Sequence, residues 1–396
     1  MSDTNGALAG LRVLDLSRVL AGPWATQMLA DLGADVVKVE SPDGGDDTRK
    51  WGPPFMEGAE GKRSDAAYFA CCNRNKRSIV LDFRKPEEVE TVERLAARAD
   101  ILVENFKVGG LAKYGLDYES LRVGNPGLIY CSITGFGQKG PYAHRSGYDF
   151  LIQGMGGLMS VTGQPDGTPG AEPMKVGVAV ADLFTGMSAT TAILAAVNWR
   201  HRTGKGQHID CALLDSQIAM LASQGSNWLN GGVTPERLGN SHPNVVPYRV
   251  FEAKDGHVIV ACGNDAQFGR LSAALDRPDL AADARFATNE ARIGNRAALE
   301  ALLGEVIGRL DREDVIARLE AAQVACGPIN TVPEVFDDPH VKARGVEVPM
   351  ERADGMQVRT TAFPAKLSET PATYRRAPPE LGEDTEAVLE DWLGDG

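Results

Sequence analysis

Few stretches of the 396 residues combine reactive side chains with a setting that would focus them. Asp182 follows a β-like run at residues 175–180 (KVGVAV) and precedes an apolar, helix-periodic segment at 183–199. Two readings fit that place. As an N-cap, an aspartate satisfies the free N–H groups of a first helical turn. As a nucleophile, a carboxylate there would be kept ionised by the same helix terminus. Position alone leaves both open. The cations gather elsewhere: residues 73–78 (NRNKRS) form a basic cluster that reads as a solvated turn before a strand, as most charge runs are. Arg84 and Lys85 lie one strand later and, with Lys113, could neutralise phosphates. Asn105-Phe106 directly follows another predicted strand, where an aromatic ring either caps a core or stacks on a purine.

Other chemistries find little support. The six histidines have no metal-ligand spacing, so no structural or catalytic zinc is expected. No GxSxG elbow is present, which argues against a serine hydrolase. Six cysteines, mostly far apart, read as reduced thiols rather than a disulfide framework.

The elements that would position these residues alternate in type. Residues 11–16 (LRVLDL), a helix over 24–32 and the β-branched run 34–40 (ADVVKVE) predict a βαβ unit, hence a parallel sheet. A second alternation runs through 77–83, 86–98 and 100–104, and a further strand is expected at 128–133. In such sheets ligands sit at the carboxyl ends of the strands, here the loops 17–23, 40–44, 83–85 and 104–110. None carries a GxGxxG fingerprint or a P-loop, which disfavours NAD and nucleoside triphosphates. Helices are expected around 148–155 and over 215–229, a strand at 207–213, and a hairpin at 248–253 and 257–261. Charged helices follow at 296–309 and 312–323, and a proline-rich tail runs from Gly327. Glycine is in excess, 44 of 396 or about 11% against a typical ~7%. Much of it lies between Gly135 and Gly239, where it would permit close backbone approach to a ligand.

The balance of 41 Lys and Arg against 54 Asp and Glu gives a net charge of −13, which argues against a nucleic-acid surface. No uninterrupted apolar stretch suggests a membrane span, and residues 1–10 lack the layout of a signal peptide, so a cytoplasmic setting is expected, or an organelle after removal of a transit peptide.

A set of segments in order resembles the class III coenzyme A transferases, the family of formyl-CoA transferase and the α-methylacyl-CoA racemases. They are residues 13–23 (VLDLSRVLAGP), 32–40 (LGADVVKVE), 75–82 (NKRSIVLD), 103–106 (VENF) and 133–141 (ITGFGQKGP). Further along come 147–157 (GYDFLIQGMGG), 176–186 (VGVAVADLFTG), 203–207 (TGKGQ), 237–243 (RLGNSHP) and Gly327-Pro328. The resemblance spans residues 11–389 and implies a Rossmann-like α/β large domain with a parallel sheet, a smaller α+β domain and an interlocked homodimer. It implies the large domain over 1–200, a linking strand and helix over 201–225, the small domain over 226–326 and a return strap over 327–396. It assigns Asp182 as the nucleophile, forming an aspartyl anhydride and then an aspartyl-CoA thioester. Coenzyme A enters as an acyl-CoA substrate, with no metal. The implied CoA contacts fall on Leu20, Ala21, Leu81, Asp82, Phe83, Arg84, Asn105, Phe106, Lys113, Ser146, Gly147, Tyr148 and Asp149.

Departures from the pattern are informative. Leu20 stands where formyl-CoA transferase has a glutamine and Ser41 where it has a cation, and the loop at 230–239 lacks its run of consecutive glycines. Racemases of the family carry Gly-His-Asp where this chain has Gly147-Tyr148-Asp149. A tyrosine, with an ordinary pKa near 10, is a poor proton shuttle at neutrality, so transfer is favoured over racemisation. A catalytically silent CoA-binding protein would be expected to lack the nucleophile, which is present. The wording of 147–163 and 176–182 is most similar to succinyl-CoA:dicarboxylate transferases, including glutarate-using ones. A dicarboxylate acceptor needs a cation for its distal carboxylate, and Arg18, Arg49 and Arg145 are the candidates.

Overall fold

The computed structural model describes residues 6–58 and 63–394. They divide into two units. The larger draws on Met1–Met159, Lys175–Thr234 and His340–Gly396, the smaller on Ser160–Met174 and Pro235–Pro339. The crossings at 234/235 and 339/340 differ from the 226 and 327 that the sequence reading set.

Six strands make the sheet of the larger unit: β1 (Arg12–Asp15), β2 (Asp35–Glu40), β3 (Lys76–Val80), β4 (Ile101–Glu104), β5 (Ile129–Thr134) and β6 (Gln207–Ala212). Every pairing is parallel, in the order β3-β2-β1-β4-β5-β6. The order reverses between β1 and β4, which opens a crevice at their carboxyl ends. Because β6 pairs along β5, the stretch read as a linker contributes the sixth strand of the sheet.

Both faces of the central strands are covered, so apolar residues such as Val13-Leu14, Val36-Val37 and Ile101-Leu102 follow one another instead of alternating with polar ones. Val13, Val36, Ile101 and Ile129 pack on one face with Ala25 and Leu29 of α1 (Ala21–Asp31). Leu14, Val37, Ile79 and Leu102 pack on the other with Val92 and Leu95 of α2 (Pro86–Arg98), and α3 (Tyr118–Gly124) adds Leu121. A further helix, α4 (Asp149–Met155), leads towards α5 (Val180–Thr203). By length and composition α5 is apolar enough to cross a membrane, but Ala189, Ile193 and Ala196 are fully buried against the first face. At Gly186 it passes so close to α1 that an added Cβ would sit 2.7 Å from the Ala21 carbonyl. After β6 come α6 (Leu213–Met220) and α7 (Ala222–Gly231), two helices where one was expected.

The run 175–180 forms no strand, contrary to its β-branched composition. It has no neighbouring strand to pair with, and a side chain takes the place of a ladder. Gln153 accepts from the Val176 amide at 2.9 Å and donates to the Val178 carbonyl at 3.4 Å.

The basic turn at 73–78 is also not solvated. Asn73, Arg74, Asn75 and Lys76 are buried because the later chain covers them. Arg74 binds Asp31 at 2.9 and 2.5 Å and donates to Thr360 at 2.8 Å, while Asn75 donates to the Thr373 carbonyl at 2.7 Å. The proline-rich tail thus returns to the larger unit, where helix Thr385–Leu393 packs Val388 and Trp392 onto the second face.

The smaller unit is α+β. Antiparallel strands β7 (Tyr248–Ala253) and β8 (Gly256–Ala261) form the expected hairpin, and β9 (Ala325–Pro328) pairs with β8. Phe251, Val258 and Val260 bury against Phe268, Leu299, Leu303 and Leu319 from its helices.

Candidate functional site

A cavity of about 650 Å³ lies in the larger unit at the carboxyl ends of β1 to β5. The loop after β1 contributes Leu20 and Ala21, and the loop after β3 contributes Leu81, Asp82, Phe83 and Arg84. Asn105, Phe106 and Lys113 come from the connection after β4, and Ser146, Gly147 and Tyr148 from the one after β5. Asp182 reaches the wall from the first turn of α5. Of Asp182 and the implied CoA contacts, only Asp149 is not in the wall.

Asp149 stands behind it with a different task. The helix α5 begins at Val180 after Ala179, which makes no side-chain cap, so Asp182 is the third helical residue and not an N-cap. The missing acceptor is Asp149, whose Oδ1 accepts from the Ala181 amide at 2.8 Å and, at 3.4 Å, from the Asp182 amide. The first-turn N–H groups are therefore directed to Asp149. Asp182 is left with little compensation for being buried. Burial, and then the Asp149 carboxylate, push its pKa up to about 7. Both influences oppose the ionised form that the helix terminus is expected to favour.

The β1 loop and the β4 loop are clasped together. Asn105 accepts from the Arg18 amide at 2.9 Å and donates to the Arg18 carbonyl at 2.7 Å. One residue earlier, buried Glu104 accepts from the Phe106 amide at 2.8 Å, and burial raises its pKa to about 7. This turn presents the Phe106 ring stacked on Phe83 with centroids 6.1 Å apart. Gly135 and Gly147, both in the wall, touch backbone to backbone. An added Cβ on either would lie 2.5 or 2.4 Å from the other's Cα.

The cations sort by partner. Arg84, paired with Asp82 at 2.8 Å and Asp43 at 3.2 Å, lines the cavity with Lys107 and Lys113 beside Phe83 and Phe106, whereas Lys85 does not and pairs with Glu88 at 2.8 Å. Lys107 was not singled out in the sequence, although its place directly after Asn105-Phe106 was a usable signal. Ser41 lines the same wall and supplies no charge. Among the arginines considered for a distal carboxylate, Arg49 drops out: it is buried against Glu40 at 2.6 Å and Asp65 at 2.9 Å, outside the cavity. Arg18 lines the cavity but pairs with Asp47 at 3.3 Å. Arg145 also lines it, stacked over Tyr142 at 4.7 Å and Phe136 at 5.3 Å. The loop at 230–239 is shared, with residues up to 234 in the larger unit and the rest in the smaller.

Comparison with known proteins supplies the context. The profile of CoA-transferase family III matches residues 8–385. A succinate–glutarate CoA-transferase of Agrobacterium fabrum is 52% identical over 391 residues, covering 99% of this chain and 97% of that protein. A human succinyl-CoA:glutarate CoA-transferase is 40% identical over 394 residues, covering 99% of this chain and 88% of that one. The crystal structure of a CAIB/BAIF family protein from Brucella suis superposes with a TM-score of 0.85 at 54% identity, covering 98% of this chain and 100% of that one.

The raised pKa of Asp182 has a consequence for stability. Its folded value of about 7 exceeds the ordinary 3.8, so between those pH values the folded chain binds the extra proton and stability falls as pH rises. We predict that Asp182→Asn is more stable than the parent at pH 8, by about 1–3 kcal/mol, and that the gain vanishes near pH 4. Urea unfolding at the two pH values measures this, and an equal difference at both would refute it.

Proposed function

This chain belongs to CoA-transferase family III, and from that premise we propose that it moves CoA from succinyl-CoA to a dicarboxylic acid of the glutarate type. The observation that carries the proposal is Asp182, a half-buried carboxylate on the wall of a cavity whose other residues suit an acyl-CoA. The names and identities of the Agrobacterium and human relatives support the choice of donor and acceptor.

In this reading an Asp182 oxygen attacks the thioester carbonyl, the C–S bond breaks, and CoA leaves as thiolate. The thiolate attacks the aspartyl carbonyl of the mixed anhydride, expelling succinate and leaving an aspartyl-CoA thioester. The acceptor carboxylate attacks that thioester, forming a second anhydride and again releasing thiolate. Attack of the thiolate on the acceptor's acyl carbon yields the new acyl-CoA and restores Asp182. A carboxylate titrating near neutrality suits this cycle, since an anion poorly compensated by its surroundings is the better nucleophile. The N–H groups of Leu20, just before α1, and of Ala21, its first residue, are assigned to the oxyanion formed at each attack. The CoA phosphates are assigned to Arg84, Lys107 and Lys113, and the adenine to the Phe83–Phe106 pair. Arg145, which makes no ion pair among the described residues, is assigned to the acceptor's distal carboxylate.

The protein is further proposed to act as an interlocked homodimer. Support comes from apolar side chains left open on adjoining helices of the larger unit: Phe150 on α4, Ile218 on α6, and Trp228 and Leu229 on α7. A single-chain mass by light scattering would refute dimerisation.

Asp182→Ala is expected to lower succinyl-CoA:glutarate transfer at least a thousandfold, read by mass spectrometry of the CoA products. Retained transfer would sink the nucleophile assignment, and deuterium uptake at an α-carbon by the parent without acceptor would favour a racemase. For Arg145→Gln we expect the KM for glutarate to rise 10- to 100-fold while a monocarboxylic acceptor of similar length is unaffected. Equal losses on both acceptors would remove Arg145 from that role.

A further inference from the structure

Between β1 and α1, the backbone polar groups of residues 17–19 are held by side chains. Ser17 donates its amide to Asp15 at 2.9 Å, and its carbonyl accepts from Lys38 Nζ at 2.8 Å. Arg18 is clasped by Asn105 on both sides. The Val19 amide donates to both oxygens of Asp46 at 3.2 Å. Val19 needs the restraint. Its φ of 71° is left-handed, a region that β-branched residues avoid.

Asp46 and Lys38 lie outside the cavity wall and face each other as a fully buried ion pair at 2.9 Å. Burial opposes both charges, but Lys38 with the Thr48 hydrogen bonds holds Asp46 down to about 2, and Asp46 with Asp15 and Glu40 holds Lys38 above its ordinary value. The next residues of the loop are Leu20 and Ala21, which open α1 on the cavity wall. The Ala21 carbonyl lies against Gly186, one turn beyond Asp182 on the same side of α5. A change of conformation at Val19 therefore moves the first turn of α1 relative to Asp182.

We propose that the Lys38–Asp46 pair is a positioning device for the reaction at Asp182. It locks Val19 in its left-handed conformation and so sets where the α1 N–H groups stand over the reacting carbonyl. This inference rests on the transferase reading. A purely stabilising role is served as well by apolar side chains of similar volume, which often replace a buried ion pair without loss.

The test removes both charges together and then relieves the strain separately. Lys38→Met/Asp46→Leu is expected to lose at least 30-fold in kcat with KM for succinyl-CoA within threefold of the parent. Adding Val19→Gly, which adopts the left-handed region freely, is expected to restore kcat at least fivefold. Asp46→Asn, which keeps volume and a weaker acceptor, is expected to lose three- to tenfold in kcat at unchanged KM. The amides of residues 17 and 19 should exchange with deuterium at least tenfold faster in the charge-free variant. Full kcat in Asp46→Asn, a triple variant no better than the double, or unchanged exchange overturns the proposal. Absence of transfer by the parent refutes the functional reading instead, and the exchange rates still test the clamp.

Discussion

Two carboxylates compete for one helix N-terminus, and the chemistry of the site follows from which of them wins it. Asp149 takes the first-turn amides of α5 and leaves Asp182 to bear its burial beside another negative charge. In water such a group is ionised far below neutrality and is a weak nucleophile. Here the anion is costly to hold, a penalty that the proposed attack on a thioester carbonyl would relieve. A residue 33 positions away in sequence sets this balance, from a short helix that contributes nothing to the cavity surface itself.

The parallel sheet gives that carboxylate its surroundings. Its strand order reverses between β1 and β4, and the loops on either side of the reversal meet as Arg18 and Asn105. Each loop is fixed from below by buried polar groups: Glu104 under Phe106, and Asp15, Lys38 and Asp46 under residues 17–19. The cavity wall is thus irregular backbone held by buried side chains from the strands and from neighbouring loops.

The alternation of strands and helices was legible from the β-branched runs and the periodicity between them, and all but one of the residues that the resemblance assigned to the site line the cavity. Other features depend on contacts that no local pattern reveals. The run 175–180 has strand composition but no partner strand, so Gln153 satisfies it instead. The basic turn at 73–78 looks solvated because the segments that bury it lie roughly 300 residues later. Arg49 offered a free cation on paper, whereas Glu40 and Asp65 already neutralise it. Lys38 sits in a strand pattern that reads as apolar with one interruption, and nothing nearby announces Asp46 as its counter-ion.

That distant covering of the turn has a temporal side. During synthesis, β3 and its buried neighbours leave the ribosome long before Thr360, Thr373 and Asp384, which complete the hydrogen bonds of Arg74, Asn75 and Ser78. Until those residues emerge, the nascent larger unit exposes Arg74, Asn75 and the flank of an edge strand to other chains. The entire smaller unit is translated in that interval and has a core of its own with which to fold first. The last part of the chain to be made therefore decides when the sheet edge is closed, and a chain interrupted before it carries an open strand suited to aggregation and to recognition by quality control.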